Sequence, residues 1–322
     1  MQDRLSDHAT ATDRRDDALL ALLGLLRARA YRFITPTPAT HRRVIGRPER
    51  AEARCLADVL GWSLPFRDGV LDGDVAALLD EAGALQRVGG DRRQSALRVS
   101  SVGDTLFLHS AFPTDSEDAV FFGPDSYRFA RLIAGELADH PAAPGARLVD
   151  MGAGAGVGAI VAGKLCPDAA IVMTDINREA LRLARINARA AGVAARLVEG
   201  EGLAGVEGPV DLAFANPPYI IDPARRSYRD GGSLHGGAVA LAMAREAVAR
   251  LAEGGRFILY SGSAIVAGDD ILGRALAAVA ADAGCSLSYE ELDPDVFGEE
   301  LASPAYRDVD RIAVVSAIFR RG

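Results

Sequence analysis

The segment Val149-Asp150-Met151-Gly152-Ala153-Gly154-Ala155-Gly156-Val157-Gly158 constrains this chain more than any other. Glycines at alternate positions let the backbone turn sharply and let a ligand approach without meeting a Cβ atom. The residues before them, Arg147–Met151, read as a short apolar strand, and those after, through about Cys166, as a helix. The same alternation then repeats. Ala170–Thr174 is predicted as a strand, and Arg178–Ala191 carries apolar residues at helical spacing until Gly192 ends it. Strands follow at Ala195–Glu199, Val210–Ala215 and Arg256–Ser261, with helices at about Ala238–Leu251 and Ile271–Ala283. This βα rhythm predicts an α/β fold, a doubly wound, mostly parallel sheet covered on both faces. The last two strands, Cys285–Tyr289 and Arg311–Phe319, have no helix of usual length between them. They are expected to pair antiparallel, closing a seven-stranded sheet with a C-terminal hairpin.

The first ~115 residues differ in character. Helices are predicted at Asp16–Tyr31, Pro48–Leu60 and Asp74–Ala82. Two β-like stretches, Ser95–Val102 and Thr105–Ser110, flank the turn signal Gly103-Asp104. Helices followed by a hairpin resemble a winged helix, so the expected division is a recognition domain over 1–118 and a Rossmann-like domain over 119–322.

Composition narrows the partners. No apolar run is long enough to span a bilayer, and the first twenty residues mix both charge signs without a signal-peptide core, so the expectation is a cytoplasmic protein with no membrane partner. Cys55, Cys166 and Cys285 are far apart and lack a CxxC pair, which suits reduced, buried thiols better than a disulfide frame or a metal site. A net charge of −8 argues against broad affinity for nucleic acid. Arginines nevertheless cluster at Arg42, Arg43, Arg47, Arg50 and Arg54, where solvation of a helix and its preceding loop is the plainer explanation.

The glycine turn lies at the carboxyl edge of the expected sheet, where doubly wound folds bind nucleotide-like ligands. The expected cofactor contacts there are Asp150, Gly152, Ala153, Gly154 and Gly156. Asp175 ends the next strand, where a carboxylate can accept ribose hydroxyls, with Ile176 beside it. Gly154, Gly156, Gly158 and Ala159 also fit a dinucleotide fingerprint, so the glycines alone leave both NAD and S-adenosylmethionine open. Asp150 favours S-adenosylmethionine: a carboxylate before the turn repels a pyrophosphate and attracts a cationic ligand. After the third strand, Glu201, in preference to Glu199, is the candidate for the adenine amino group.

Asn216-Pro217-Pro218-Tyr219 follows the fourth strand. An amide or aryl amine nitrogen is a poor nucleophile because its lone pair is delocalised. The Asn216 side-chain oxygen and the Pro217 carbonyl can each accept one N–H, directing the lone pair toward a methyl donor. The prolines contribute no donor, and Tyr219 offers a flat face for a planar group. No metal is required.

With these motifs the chain resembles the class I methyltransferases with an NPPY motif and is similar to the release-factor glutamine methyltransferases, over about Phe121 to Phe319. The resemblance implies acceptor roles for Asn216, Pro217 and Tyr219, with Asn216 also near the cofactor. It implies S-adenosylmethionine at Asp150 to Gly156 and at Asp175. Phe121-Phe122-Gly123-Pro124-Asp125-Ser126-Tyr127 resembles the segment that precedes the fold in some of these enzymes, where Asp125 or Ser126 would cap a helix over the cofactor.

Two departures keep the acceptor open. The N-terminal region is unlike the helical bundle usual in the glutamine enzymes. The segment after Tyr219 holds Arg225, Arg226, Tyr228, Arg229 and His235, a clamp for an anionic substrate or a mobile loop. A protein glutamine of a release-factor-like partner is the leading acceptor. An exocyclic base nitrogen of RNA or DNA and a small-molecule amine are the alternatives. A winged-helix protein that only senses S-adenosylmethionine, or a nicotinamide-dependent oxidoreductase, would leave the NPPY turn unexplained.

Overall fold

The computed structural model describes residues 2–226 and 228–322. Helices α1 (Gln2–Ala28), α2 (Pro38–Ile45), α3 (Leu56–Leu60) and α4 (Gly73–Glu81) come first. Two antiparallel pairs follow, β1 (Leu85–Arg87) with β2 (Arg93–Ser95) and β3 (Leu97–Val102) with β4 (Thr105–Ser110). Helix α1 begins at Gln2 rather than Asp16. Helix α2, not among the expected helices, starts where Thr37 accepts the Thr40 N–H and Pro38 supplies a preset φ. The helix expected over Pro48–Leu60 is a 3-10 turn at Pro48–Arg50 and the short α3. Asp58 causes the break, because its buried carboxylate accepts the Arg54 N–H and pairs with Arg50, bending the chain between the two turns.

The rest of the chain is α5 (Pro124–Asp139), β5 (Arg147–Met151), α6 (Val157–Leu165), β6 (Ala170–Asp175), α7 (Arg178–Ala191), β7 (Ala195–Glu199), β8 (Val210–Ala215), α8 (Ala238–Arg250), β9 (Leu251–Val266), β10 (Asp269–Asp270), α9 (Ile271–Asp282), β11 (Cys285–Asp293) and β12 (Arg311–Arg321). The main sheet runs in the order β11-β12-β9-β8-β5-β6-β7. Strands β5 to β9 are parallel to one another, and β12 lies antiparallel between β9 and β11. The expected mostly parallel sheet with an antiparallel C-terminal pair is the observed one.

Strand alternation divides the core between the two faces. Leu148, Phe214, Ile258 and Val314 point to the α5–α7 side, and Val149, Ala213, Phe257 and Leu259 to the α8–α9 side. Helix α7 is bounded as its sequence asks: Asn177 accepts the Glu179 and Ala180 N–H groups, and Gly192 ends it at φ 73°. Cys55 is exposed and the other two thiols are half-buried, so the expectation of buried cysteines fails. No helix among the described residues is long and apolar enough to cross a membrane.

Two contacts dock the N-terminal elements on this sheet. Asp16, 2% exposed, accepts hydrogen bonds from Arg182 and Arg185 of α7 at 2.6 and 2.5 Å. Asn187 is fully buried; its side chain accepts the Leu108 N–H of β4 and donates to the carbonyls of Leu108 and Ala155. One amide therefore ties the β3–β4 hairpin to the glycine-rich turn.

Candidate active site

Two of the turn's glycines show why the sequence needs them. Gly154 sits at φ 53° with its N–H donating to Asp175 at 2.9 Å. At Gly158 an added Cβ would come within 3 Å of Phe129, Asp150 and Phe214, so helix α6 can start this close to the sheet only with glycine there. The Gly152 and Ala153 N–H groups both donate to the Thr174 carbonyl, which anchors the turn to the end of β6.

A cavity of about 480 Å³ opens above this edge of the sheet. Of the sequence-predicted residues, Asp125, Gly152, Ala153, Gly154, Asp175, Ile176, Glu201, Asn216, Pro217 and Tyr219 line it. The glycine turn, the ends of β6 and β8 and the start of α5 thus meet in one place. Asp150 and Gly156 lie behind its wall. The Asp150 carboxylate, 1% exposed, accepts the Ala159 N–H at 2.8 Å and so fixes the first turn of α6. Burial pushes it up to about 7, with the neighbouring charge of Asp175 adding to the effect. Gly156, at φ 80°, packs against Ala184 and Met173.

Asp175 is held by two backbone donors, Gly154 and Asn177, yet burial still raises its proton affinity. Ile176 is 58% exposed although it lines a cavity, an apolar surface without a packing partner to explain it. Glu199 is occupied by Arg178 at the surface, whereas Glu201 reaches the cavity. These residues fit S-adenosylmethionine: a carboxylate for ribose hydroxyls, an exposed apolar face for adenine, and glycine backbone where side chains would obstruct. The acidic lining of Asp125, Asp175, Glu201 and Asp230 against the single basic residue Arg229 also suits a cation.

Asp125 is buried at the start of α5, where Tyr260 donates to it at 2.7 Å and burial raises its proton affinity. The cap at this helix end comes from Ser126, which accepts the Gly123 N–H. Tyr219 is 7% exposed. Its ring rests on Gly262, where a Cβ would strike it at 2.1 Å, and meets Phe297 edge-on at 5.7 Å. Its hydroxyl is buried beside Asp125 and meets no partner at hydrogen-bond geometry among the described residues. Burial pushes its pKa up, and the Asp125 charge adds to this.

Pro38 and Phe297, from two distant segments, also line the cavity, carry no motif and escaped the sequence reading. Phe121, which opens the segment quoted before the fold, lines it as well. The basic loop after Tyr219 is largely neutralised from within. Arg226 is bonded to Asp222, which it holds down to about 2; Arg229 is paired with Glu300 and His235 with Asp308. Arg225 is exposed and has no acidic partner among the described residues.

Residues 128–281 match the family described as Methyltransferase small domain. The chain is 35% identical to the release factor glutamine methyltransferase of Cereibacter sphaeroides over 212 residues, 62% of this chain and 70% of that protein. It is 39% identical to the one from Deinococcus radiodurans over 124 residues, 35% of this chain and 44% of that protein. It is also 37% identical to ribosomal RNA small subunit methyltransferase C of Hahella chejuensis over 103 residues, 31% of this chain and 30% of that protein. Sheet, turn and matches together define a class I S-adenosylmethionine-dependent methyltransferase. Within that class, the chain belongs to the family of the release factor glutamine methyltransferases.

Proposed function

We propose that this enzyme methylates the nitrogen of a planar amide, a glutamine side chain in a protein partner of the release-factor kind. The observation that carries this reading is that the Asn216-Pro217-Pro218-Tyr219 turn shares one cavity with the glycine turn and Asp175. The relatives named for glutamine methylation support the choice of acceptor.

When bound, S-adenosylmethionine supplies a methyl group made electrophilic by its sulfonium. Asp175 would hold the ribose, Ile176 and Glu201 the adenine, and the backbone of Gly152–Gly154 with Asp125 the amino-acid end. Asp150 and Gly156 support that wall from behind. Asn216 Oδ1 and the Pro217 carbonyl accept the two N–H groups of the acceptor, which fixes the nitrogen and frees its lone pair from conjugation. With the donor bound, the nitrogen so held would take the methyl while the thioether leaves, and its surplus proton would pass to water, so no protein base is needed. Residues 1–118, helices followed by the β1–β2 and β3–β4 pairs, would serve as the recognition part and 119–322 as the catalytic part.

A second acceptor, a base amino group in RNA, is favoured by one observation. Arg42, Arg43, Arg47 and Arg54 are exposed and have no acidic partner among the described residues. Arg42 and Arg43 lie on helix α2, whose first residue, Pro38, lines the cavity; Arg47 follows its end and Arg54 precedes α3. The rRNA methyltransferase relative points the same way.

The test is methyl transfer from labelled donor to purified release factors and, separately, to ribosomal RNA. The expected result is label on one glutamine of a release factor. Asn216→Ala should lower the rate about 100-fold or more while cofactor affinity stays within about threefold. Label on RNA alone would replace the acceptor by the second reading, and label on neither would overturn both.

A further inference from the structure

The chain between α1 and α2 is an extended segment paired on one side only. Over residues 31–35 it alternates buried and exposed side chains, the period of a strand. It runs beside β3 and meets it at one place. There the Phe33 carbonyl accepts the Ser101 N–H at 2.9 Å, and the Phe33 N–H donates to the Ser101 hydroxyl at 3.3 Å. Thr35, on the same side, donates its N–H to the Tyr127 hydroxyl at 2.9 Å. Consecutive residues of an extended chain present their backbone groups to opposite sides. Those of Arg32 and Ile34 therefore face away from β3, and neither the N–H nor the carbonyl of either has a hydrogen-bond partner among the described residues.

Ile34 is 64% exposed, the most exposed large apolar side chain among the described residues, and Arg32 is exposed as well. The free donors and acceptors are thus within reach of another chain, and a row of unpaired backbone groups is a template for an added strand. The row is short. Pro36, the next residue on that side, has no N–H, so the edge offers two donors and does not extend into a long self-pairing strand. It also leads to the active site. Pro38, four residues beyond Ile34, lines the cavity, and Tyr127, which holds Thr35, follows the cavity-lining Asp125 and Ser126 in α5. At the rise of an extended chain, Ile34 is about 13 Å from Pro38 along the segment.

We propose that the free edge of residues 32–36 docks an extended peptide of the protein substrate, the stretch that flanks the acceptor glutamine. The inference rests on the reading of the acceptor as a glutamine in a protein. The peptide exchanges hydrogen bonds with the N–H and carbonyl groups of Arg32 and Ile34, as a strand added beside the β3–β4 pair. One of its side chains lies opposite Ile34 on the same face, and an apolar one there covers the surface that Ile34 leaves exposed. From that residue about four to six more carry the glutamine past Pro38 to Asn216 and Pro217. Main-chain pairing makes few demands on side chains, so the substrate is selected by its extended shape and by this one apolar position. A nucleic acid has no ladder of N–H and C=O groups to match the edge.

The experiment uses the full chain with the purified release factors of the methylation assay. Ile34→Pro removes the free N–H and breaks no hydrogen bond within the chain, and an extended segment accommodates the ring, so the variant should fold as the wild type does. It should raise KM for the release factor about tenfold or more, with kcat within about twofold. Ile34→Ala keeps the N–H and should raise KM only about threefold. Without any variant, amide exchange of the wild type, read by NMR, should slow at Arg32 and Ile34 at least about tenfold when the release factor is added. An unchanged KM in folded Ile34→Pro, or exchange at both amides that ignores the release factor, would overturn the edge and leave glutamine methylation standing. Slowing of the same amides when the enzyme alone is concentrated would make the edge a contact between copies of this chain and overturn the proposal as well. Label on RNA and on no release factor would remove the reading beneath the proposal, and the proposal with it.

Discussion

At the scale of single residues, Asp150 shows what a sequence tells and what it hides. That an acid stands before the glycine turn is plain from the order of residues, and its charge there suggested a contact with the cationic cofactor. Its direction follows from parity. Asp150 lies two residues after Leu148, so it points to the α5–α7 side, beneath the first turn of α6, rather than up at the cofactor. Reading charge alone places it against the cationic ligand; reading strand periodicity as well places it behind the wall. Its raised pKa has a consequence for stability. From its ordinary 3.8 up to about 7, the folded chain keeps a proton that the unfolded chain has released. Stability from this group is therefore full below about pH 4 and falls as pH rises toward 7. Asp150→Asn keeps an acceptor for Ala159 without the titration. Relative to wild type it should gain stability as pH rises from 5.8 to 8, by on the order of 2 kcal/mol. Urea unfolding at several pH values checks this, and parallel curves for the two proteins would refute it.

Among elements, legibility followed the local signals. Helix α7 was readable to the residue because apolar spacing and a terminal glycine agree, and the Asn177 cap at its start fits the same bounds. The region around α2 and α3 was not, because its path depends on the Asp58 carboxylate gripping Arg54 and Arg50, a contact that no periodicity announces. The docking of α1 on α7 was equally hidden. It rests on Asp16, whose side chain is 3% exposed, against Arg182 and Arg185 at 25% and 47%. Because the arginines can return to water, removing the acid leaves no buried charge behind, and the cost is below that of breaking a fully buried pair. Asp16→Ala should destabilise the chain by about 1–3 kcal/mol and speed proteolysis within α1, while the cavity and cofactor affinity are untouched. If α1 stays as protected as in wild type, Asp16 is not what holds it down.

Over the whole molecule, charge is the property that sequence counts correctly and locates poorly. The net charge of −8 is read from composition, and so is the basic character of the loop after Tyr219. Which cations remain available is a matter of pairing. Asp222 and Glu300 pair with Arg226 and Arg229 of the loop, leaving Arg225, whereas Arg42, Arg43 and Arg47 at the α2 end all stay unpaired among the described residues. The densest group of unpaired arginines among the described residues therefore lies on and just after α2, the helix that begins at the cavity lip. By helix rise, Arg42 and Arg43 are only about 6–8 Å along the axis from Pro38. A phosphate backbone bound there would release counterions in proportion to the arginines it meets, and a protein substrate with no such charge would not. Reversing Arg42, Arg43 and Arg47 together to glutamate should weaken RNA binding more than about tenfold and flatten its salt dependence by about two to three in logarithmic slope. Methylation of a release factor by the same variant should stay within about twofold of wild type. RNA binding that keeps its affinity and slope would remove α2 as a nucleic-acid surface, and with it the structural support for a base as the acceptor.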